Sequence, residues 1–89
     1  MTISPLRTTT AVSLVLAAFL EDPEARRYGL DLIRASGNSS GTLYPILLRL
    51  RRAGWVEATW EAAEPDTAGR LARRHYRLTV DGALEARSA

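Results

Sequence analysis

The chain has 89 residues, of which 46% are hydrophobic and 25% are charged, as expected for one small globular domain rather than a disordered segment. It has no cysteine and a single histidine, and it contains no metal-binding or phosphate-loop motif, which argues against disulfides, thiolate metal sites and an enzyme. All 12 basic side chains are arginines, and 10 acidic residues leave a formal net charge of only +2. The composition predicts a non-enzymatic domain without a cofactor or metal.

The charge is unevenly distributed along the chain. Residues 1–48 hold four arginines and four acids, whereas residues 49–77 hold seven arginines and four acids. The most basic stretch, residues 67–77, has four arginines and His75 but no acid. Such a stretch is typical of a surface that binds phosphates, although a solvated surface without a partner is an equal alternative.

The first predicted element is a helix over residues 11–20, because this run is almost entirely apolar and follows three threonines that can cap a helix start. Asp22-Pro23 ends it. The run is shorter than the ~20 residues of a membrane span, and no signal-peptide cleavage motif follows it. We therefore expect a cytoplasmic protein with no membrane partner.

This first helix is apolar on nearly every side, unlike a helix on the surface of a small domain. Either the other helices of the chain surround it, or a second copy of the chain covers part of it. The second interpretation is favoured and predicts a homodimer. The expected dimer-interface residues are Leu6, Val12, Leu14, Val15, Leu16, Phe19 and Leu84.

Two further helices are predicted in the middle of the chain. One covers about residues 28–35 and ends at Gly37-Asn38 in a left-handed cap. The next begins near Gly41 or Thr42, because Pro45 costs little only in a first turn, and it closes at Ala53-Gly54. Its expected buried positions have helical spacing and are Leu43, Ile46, Leu47 and Leu50.

The opposite face of this third helix is polar at its start and basic at its end. Hydroxyl side chains and free backbone N–H groups at a helix start can meet a phosphate, and a DNA-reading helix uses such residues on bases and flanking cations on the backbone. An amphipathic surface helix with a capping serine is the alternative. The face comprises Ser39, Ser40, Thr42, Pro45, Arg49 and Arg52.

Two strand-like runs, residues 55–60 and 74–79, flank a loop over residues 61–73 and predict a long-tipped hairpin. Both tryptophans are interpreted as core, with a stacking platform for a ligand as the alternative. Thr79 is expected to cap a short last helix. The predicted apolar side of that helix comprises Val80, Ala83 and Leu84, and the basic residues at the returning edge of the hairpin are Arg70, Arg73 and Arg74.

This order of elements predicts a mainly α winged helix-turn-helix with a small β-hairpin. One domain fills residues 1–89, with an extension (1–10), three helices, a two-stranded wing with its loop (61–73) and a short C-terminal helix (79–89). In such folds the third helix enters a major groove and the wing reaches the neighbouring backbone or minor groove. The polar helix face and the basic wing would share one side, which favours binding to double-stranded DNA.

Residues 40–57, SGTLYPILLRLRRAGWVE, resemble the central signature of the PadR-like transcriptional regulators. Residues 74–82, RHYRLTVDG, and 28–33, YGLDLI, are similar to two further motifs of that family, so the resemblance covers about residues 11–84. It implies a bacterial, cytoplasmic DNA-binding dimer, usually a repressor, which we expect on a pseudo-palindromic operator.

The resemblance places Ser40, Thr42, Tyr44 and Pro45 at the start of a recognition helix. With the basic residues above, the expected DNA-binding set is Ser39, Ser40, Thr42, Tyr44, Pro45, Arg49, Arg52, Arg70, Arg73 and Arg74. The expected core positions within the motifs are Leu43, Leu47, Leu50, Trp55, Val56, Tyr76 and Leu78, while Gly54 and Gly82 are expected to satisfy backbone geometry.

One feature departs from the family, whose members normally continue into a long dimerising helix, whereas little follows Leu84 here. Dimerisation is then expected from residues 3–6, the first helix and the last, and a small-molecule effector has only weak support. The alternative function is a winged-helix protein-interaction module, such as an anti-repressor or a polymerase-binding adaptor, without specific DNA binding.

Overall fold

The computed structural model describes residues 9–60 and 74–88 of the chain. In chain order its elements are α1 (Thr10–Leu20), β1 (Arg27–Tyr28), α2 (Gly29–Ser36), α3 (Ser40–Arg52), β2 (Val56–Trp60), β3 (Arg74–Leu78) and α4 (Val80–Ser88). This is the mainly helical winged helix-turn-helix that the sequence predicts. The predicted wing loop, 61–73, lies outside the described residues, as does most of the predicted extension.

Side chains and one glycine define the ends of the first two helices. The Thr9 hydroxyl accepts a hydrogen bond from the Val12 N–H at 3.2 Å and caps α1. The Tyr28 N–H donates to the Asp31 carboxylate at 3.0 Å at the start of α2. Gly37 ends α2 with φ of 75°, a left-handed conformation that glycine adopts without steric cost, which confirms the predicted cap.

α3 begins at Ser40, one residue before the earlier of the two predicted starts. The Ser39 carbonyl accepts hydrogen bonds from both Thr42 N–H (3.1 Å) and Leu43 N–H (2.8 Å), and these bonds already close the first turn. Pro45 therefore lies in the second turn rather than the first. Because proline has no N–H, the Gly41 carbonyl lacks the helical donor that would lie four residues ahead.

The strands form one antiparallel sheet in the order β1-β3-β2. β2 and β3 pair from Val56 opposite Leu78 to Trp60 opposite Arg74, which confirms the predicted hairpin. The third strand, β1, was not predicted, because two residues are too short to show an alternating pattern. β1 pairs with β3 and thereby fixes the start of α2 beside the wing.

The core lies where α1, α3 and the inner face of the sheet meet. The predicted buried face of α3 is confirmed, since Leu43, Ile46, Leu47 and Leu50 are all buried. The predicted core residues of the strand region, Trp55, Val56, Tyr76 and Leu78, are buried as well. Among the described residues, no helix is long and apolar enough to cross a membrane.

The structure corrects the predicted dimer surface at four positions of α1. Val12, Val15, Leu16 and Phe19 are only 2%, 0%, 3% and 1% exposed, because α1 packs against α2, α3 and α4 of its own chain. For this face the alternative interpretation, a central helix surrounded by the others, is right. Leu14 is 44% exposed and remains a candidate for contact with a second copy.

α4 is capped as predicted, but it presents a different side to the core. The Thr79 hydroxyl accepts from the Gly82 N–H at 2.9 Å and donates to the Gly54 carbonyl at 2.8 Å. Gly82 lies directly against the Trp55 carbonyl, and this close approach turns Gly82 and Ala86 inward. Of the predicted apolar side, only Ala83 packs against the core, whereas Val80 and Leu84 are exposed.

Candidate nucleic-acid interface

Because four aliphatic residues turn one side of α3 into the core, its other side faces outward. Every α3 residue in the predicted DNA-binding set is exposed, as is the preceding Ser39. Helical spacing arranges the set along the side away from the core, with hydroxyl groups near the start and guanidinium groups near the end. The exposed positions are Ser39, Ser40, Thr42, Tyr44, Pro45, Arg49 and Arg52.

Asn38 holds the turn that leads into α3. Its side-chain amide donates to the Ala11 carbonyl at the start of α1, at 3.1 Å. Its own N–H donates to the Ser36 hydroxyl at 3.2 Å, which fixes the turn behind Gly37. The first bond attaches the beginning of α3 to α1 and the second attaches it to the end of α2, so both helices place the polar start of α3.

The start of α3 offers hydroxyl groups and free backbone donors to an anion. The hydroxyls of Ser39 and Thr42 lie 3.3 Å apart and form a hydrogen bond on the exposed surface. The first N–H groups of a helix have no intrahelical acceptor, and the helix dipole makes this end partially positive. A DNA phosphate is the kind of group that such an end binds.

Tyr44 has a structural contact that the sequence did not reveal. Its hydroxyl packs against Gly29 at the start of α2, so closely that a Cβ at position 29 would overlap it. The side chain is nevertheless 47% exposed. Tyr44 therefore sets the spacing between α2 and α3 while part of it remains on the outer surface.

The end of α3 is positively charged without a described counter-charge. Arg49, Arg51 and Arg52 occupy its last turn, where cations also stabilise the helix dipole. Within residues 9–60 and 74–88, the only ion pair joins Arg77 to Glu57 at 2.8 Å. The charges of Arg49 and Arg52 are thus available to a polyanion.

Arg74 is the one predicted wing arginine that the structure describes, since Arg70 and Arg73 lie outside the described ranges. Its guanidinium lies 5.0 Å from the centre of the Trp60 ring and 5.9 Å from that of Tyr76. The Arg74 Nε is buried and has no hydrogen-bond partner. Arg74 is therefore placed by aromatic contacts rather than by a carboxylate.

Trp60 corrects the prediction that both tryptophans fill the core. Trp55 is buried, but Trp60 is 61% exposed. On the inner side of β2, burial decreases from Val56 through Ala58 to Trp60, as the strand extends beyond the helices that cover its beginning. The aromatic pattern of β2 does not show where this cover ends.

The basic stretch of the sequence is divided between the two faces of the sheet. Strand alternation puts Arg74 on the inner face, whereas His75 and Arg77 belong to the outer face. There His75 is buried with its ring edge-on to Tyr28, 6.1 Å between centroids, and Arg77 pairs with Glu57. Of these three residues, only Arg74 shares the face of the sheet on which the helices pack.

Solved structures show the same fold. A PadR-like transcription factor from Bacteroides fragilis superposes with a TM-score of 0.68 and 21% identity, covering 89% of this chain and 77% of that one. Streptococcus mutans smu.1704 gives 0.68 and 24%, covering 96% and 78%. A PadR family transcriptional regulator from Eggerthella lenta gives 0.63 and 24%, covering 89% and 66%.

The family itself is established by sequence. No curated protein matches the chain significantly. The model of the transcriptional regulator PadR-like family, however, matches residues 18–88 and so includes every described helix and strand apart from the first turns of α1. The chain therefore belongs to the PadR-like family of transcriptional regulators.

Proposed function

We propose that the protein is a sequence-specific DNA-binding repressor that acts in the bacterial cytoplasm as a homodimer and covers a promoter. The observation that carries the proposal is the outer side of α3, a helix held in place by the core. Its hydroxyls are exposed, and its arginines form no ion pair within residues 9–60 and 74–88. Membership of a family of transcriptional regulators supports it.

In this proposal α3 enters the major groove. Arg49 and Arg52 bind phosphates or guanine edges, for which the guanidinium fork is better suited than an ammonium group. The hydroxyls of Ser39, Ser40 and Thr42 meet the backbone and nearby base edges. The wing arginines, Arg70, Arg73 and Arg74, bind an adjacent phosphate or a narrow minor groove.

The proposed dimer uses the apolar residues that the core leaves outside. Leu14 on α1 and Leu84 on α4 are 44% and 58% exposed, and the two helices pack against each other. A groove of about 410 Å³ runs between them and is lined by Ser13, Leu16, Ala17, Leu20, Ala86 and Arg87. Leu14 and Leu84 are not part of this lining, so the dimer proposal rests on their own exposure on two adjoining helices, which is typical of an interface. Leu6 stays part of this proposal.

Selection of binding sites from a random double-stranded DNA pool, at two salt concentrations, tests the function directly. A two-fold symmetric dimer should enrich a pseudo-palindrome whose half-site centres lie about one DNA turn apart, near 34 Å. Affinity should fall as salt rises, because phosphate contacts release counterions. A pool without enrichment, combined with no salt-sensitive binding, would overturn the proposal in favour of a protein-interaction module.

A further inference from the structure

The far end of the described hairpin carries an exposed tryptophan against an arginine. Trp60 and Arg74 are directly opposite each other in the β2–β3 ladder, so their side chains leave the same face of the sheet. Tyr76, two residues along β3, lies on that face too. The Arg74 guanidinium thus contacts one aromatic ring across the strands and a second along its own strand.

Packing restricts the Arg74 side chain more than that of an ordinary surface arginine. Its Nε is buried, although the residue as a whole is only half-buried. A guanidinium has five N–H donors in a rigid plane, and Nε carries only one of them. Aromatic contact orients that plane without using its donors, which reduces the side-chain freedom that would be lost on binding a phosphate.

Core packing does not account for Trp60, which is 61% exposed although it is one of the largest apolar side chains. As a stacking platform for a base or a ligand, the ring offers one face at most, because the Arg74 guanidinium lies over the other. Among the described residues, the side-chain contact of Trp60 is the one with Arg74.

We propose that Trp60 is a positioning residue for DNA binding, which holds the Arg74 guanidinium at the base of the wing so that its terminal N–H groups meet a phosphate. The inference rests on the proposed function, because it requires that Arg74 contacts DNA. It adds a residue outside the predicted DNA-binding set and assigns it a role through Arg74 rather than through its own contact.

A double-mutant cycle on the selected DNA site tests this inference. Trp60→Ala should weaken binding by about two- to fivefold, the factor that corresponds to an exposed cation–π contact. Arg74→Ala should weaken it at least as much and lower the salt dependence by about one counterion-release unit. The double variant should bind no worse than Arg74→Ala, because Trp60 then has nothing to position.

Two control variants and two measurements on the DNA-free protein separate positioning from a structural effect. Trp60→Phe keeps an aromatic face and should retain most of the affinity, whereas Thr59→Ala, next to it but on the outer face of the sheet, should retain all of it. Thermal unfolding should show every variant of the set fully folded at the temperature of the binding assay. In the DNA-free protein, the emission of Trp60 is the difference between the spectrum of a chain and that of its Trp60→Phe counterpart. This emission should lie at longer wavelength in Arg74→Ala than in the unaltered chain.

Several results would overturn the inference. Additive effects in the cycle would show that Trp60 acts independently of Arg74, and unchanged affinity in Trp60→Ala would show that it does not act at all. Arg49→Ala distinguishes a failure of the positioning role from a failure of the proposed function. If Arg49→Ala weakens binding while Trp60→Ala does not, only the positioning role fails, and if the unaltered chain binds no DNA, the proposed function fails with it.

Discussion

Two glycines of this chain are required because a backbone or a side chain approaches them closely. At position 82 a Cβ would overlap the Trp55 carbonyl group, which is backbone and cannot rotate away. Gly82→Ala should therefore lower the free energy of unfolding by about 1–3 kcal/mol, the usual cost of overpacking. Urea unfolding followed by circular dichroism measures it.

Gly41→Ala is the matched control, because position 41 is helical and open, with nothing within 4 Å of an added Cβ. It should stabilise the chain by about 0.5–1 kcal/mol, since alanine favours a helix over glycine. Equal stabilities for the two variants would contradict the packing of α4 against Trp55.

Position 29 tests a softer contact, that of glycine with the Tyr44 hydroxyl. Gly29→Ala should destabilise the chain by about 1 kcal/mol, because the tyrosine must move. Tyr44→Phe removes the nearest atom and leaves only the tighter-than-usual ring contacts, so the double variant should be more stable than Gly29→Ala alone. Additive losses in thermal unfolding would show that the two residues do not touch in solution.

At the scale of elements, the outer side of α3 makes the sharpest prediction. Arg49→Ala and Arg52→Ala should each weaken binding to the selected DNA site and reduce the slope of log affinity against log salt by about one. Both side chains are exposed, so the free energy of unfolding should fall by no more than the roughly 0.3–1 kcal/mol that a cation contributes at a helix end. Arg26→Ala removes the same charge from an exposed site outside the proposed interface and should keep the slope. If the slope falls equally in all three variants, the change reflects the net charge of the chain and not contacts made by α3.

Periodicity explains which elements the sequence revealed. The spacing of Leu43, Ile46, Leu47 and Leu50 determines the buried side of α3, and its polar side then faces outward. β1 escaped detection because two residues have no period. Periodicity is also uninformative for α1, because a helix that is apolar on every side does not indicate which side packs against its own core.

The candidate interface was predictable along α3 and less so in the wing. A run of basic residues does not show which face of the sheet each side chain lies on until the strand register is known. The register places Arg74 and Arg77 on opposite faces. Likewise the residue types of β2 do not show that Trp60 extends past the helices. Contacts between distant segments, such as Tyr44 with Gly29, depend on tertiary packing that local spacing does not specify.

At the scale of the whole molecule, the proposed dimer uses the apolar groups that the fold leaves exposed on α1 and α4. Leu14→Asp combined with Leu84→Asp should convert the proposed dimer to a monomer, since two charges would be buried against each partner. Both side chains are exposed in the subunit, so the fold should persist. Sedimentation equilibrium gives the oligomeric state. Binding to a palindrome should lose far more affinity than binding to one half-site, because only the palindrome benefits from two linked subunits.

Leu30→Asp is the matched control for this variant, because Leu30 is 51% exposed but lies on α2, away from the α1–α4 groove. It should leave both the oligomeric state and the preference for a palindrome unchanged. If the chain with both Leu14→Asp and Leu84→Asp stays dimeric, the interface lies on surfaces outside α1 and α4. A dimer lost equally in both variants would show that any added acid disrupts association, and the exposed leucines would then have no special part in it.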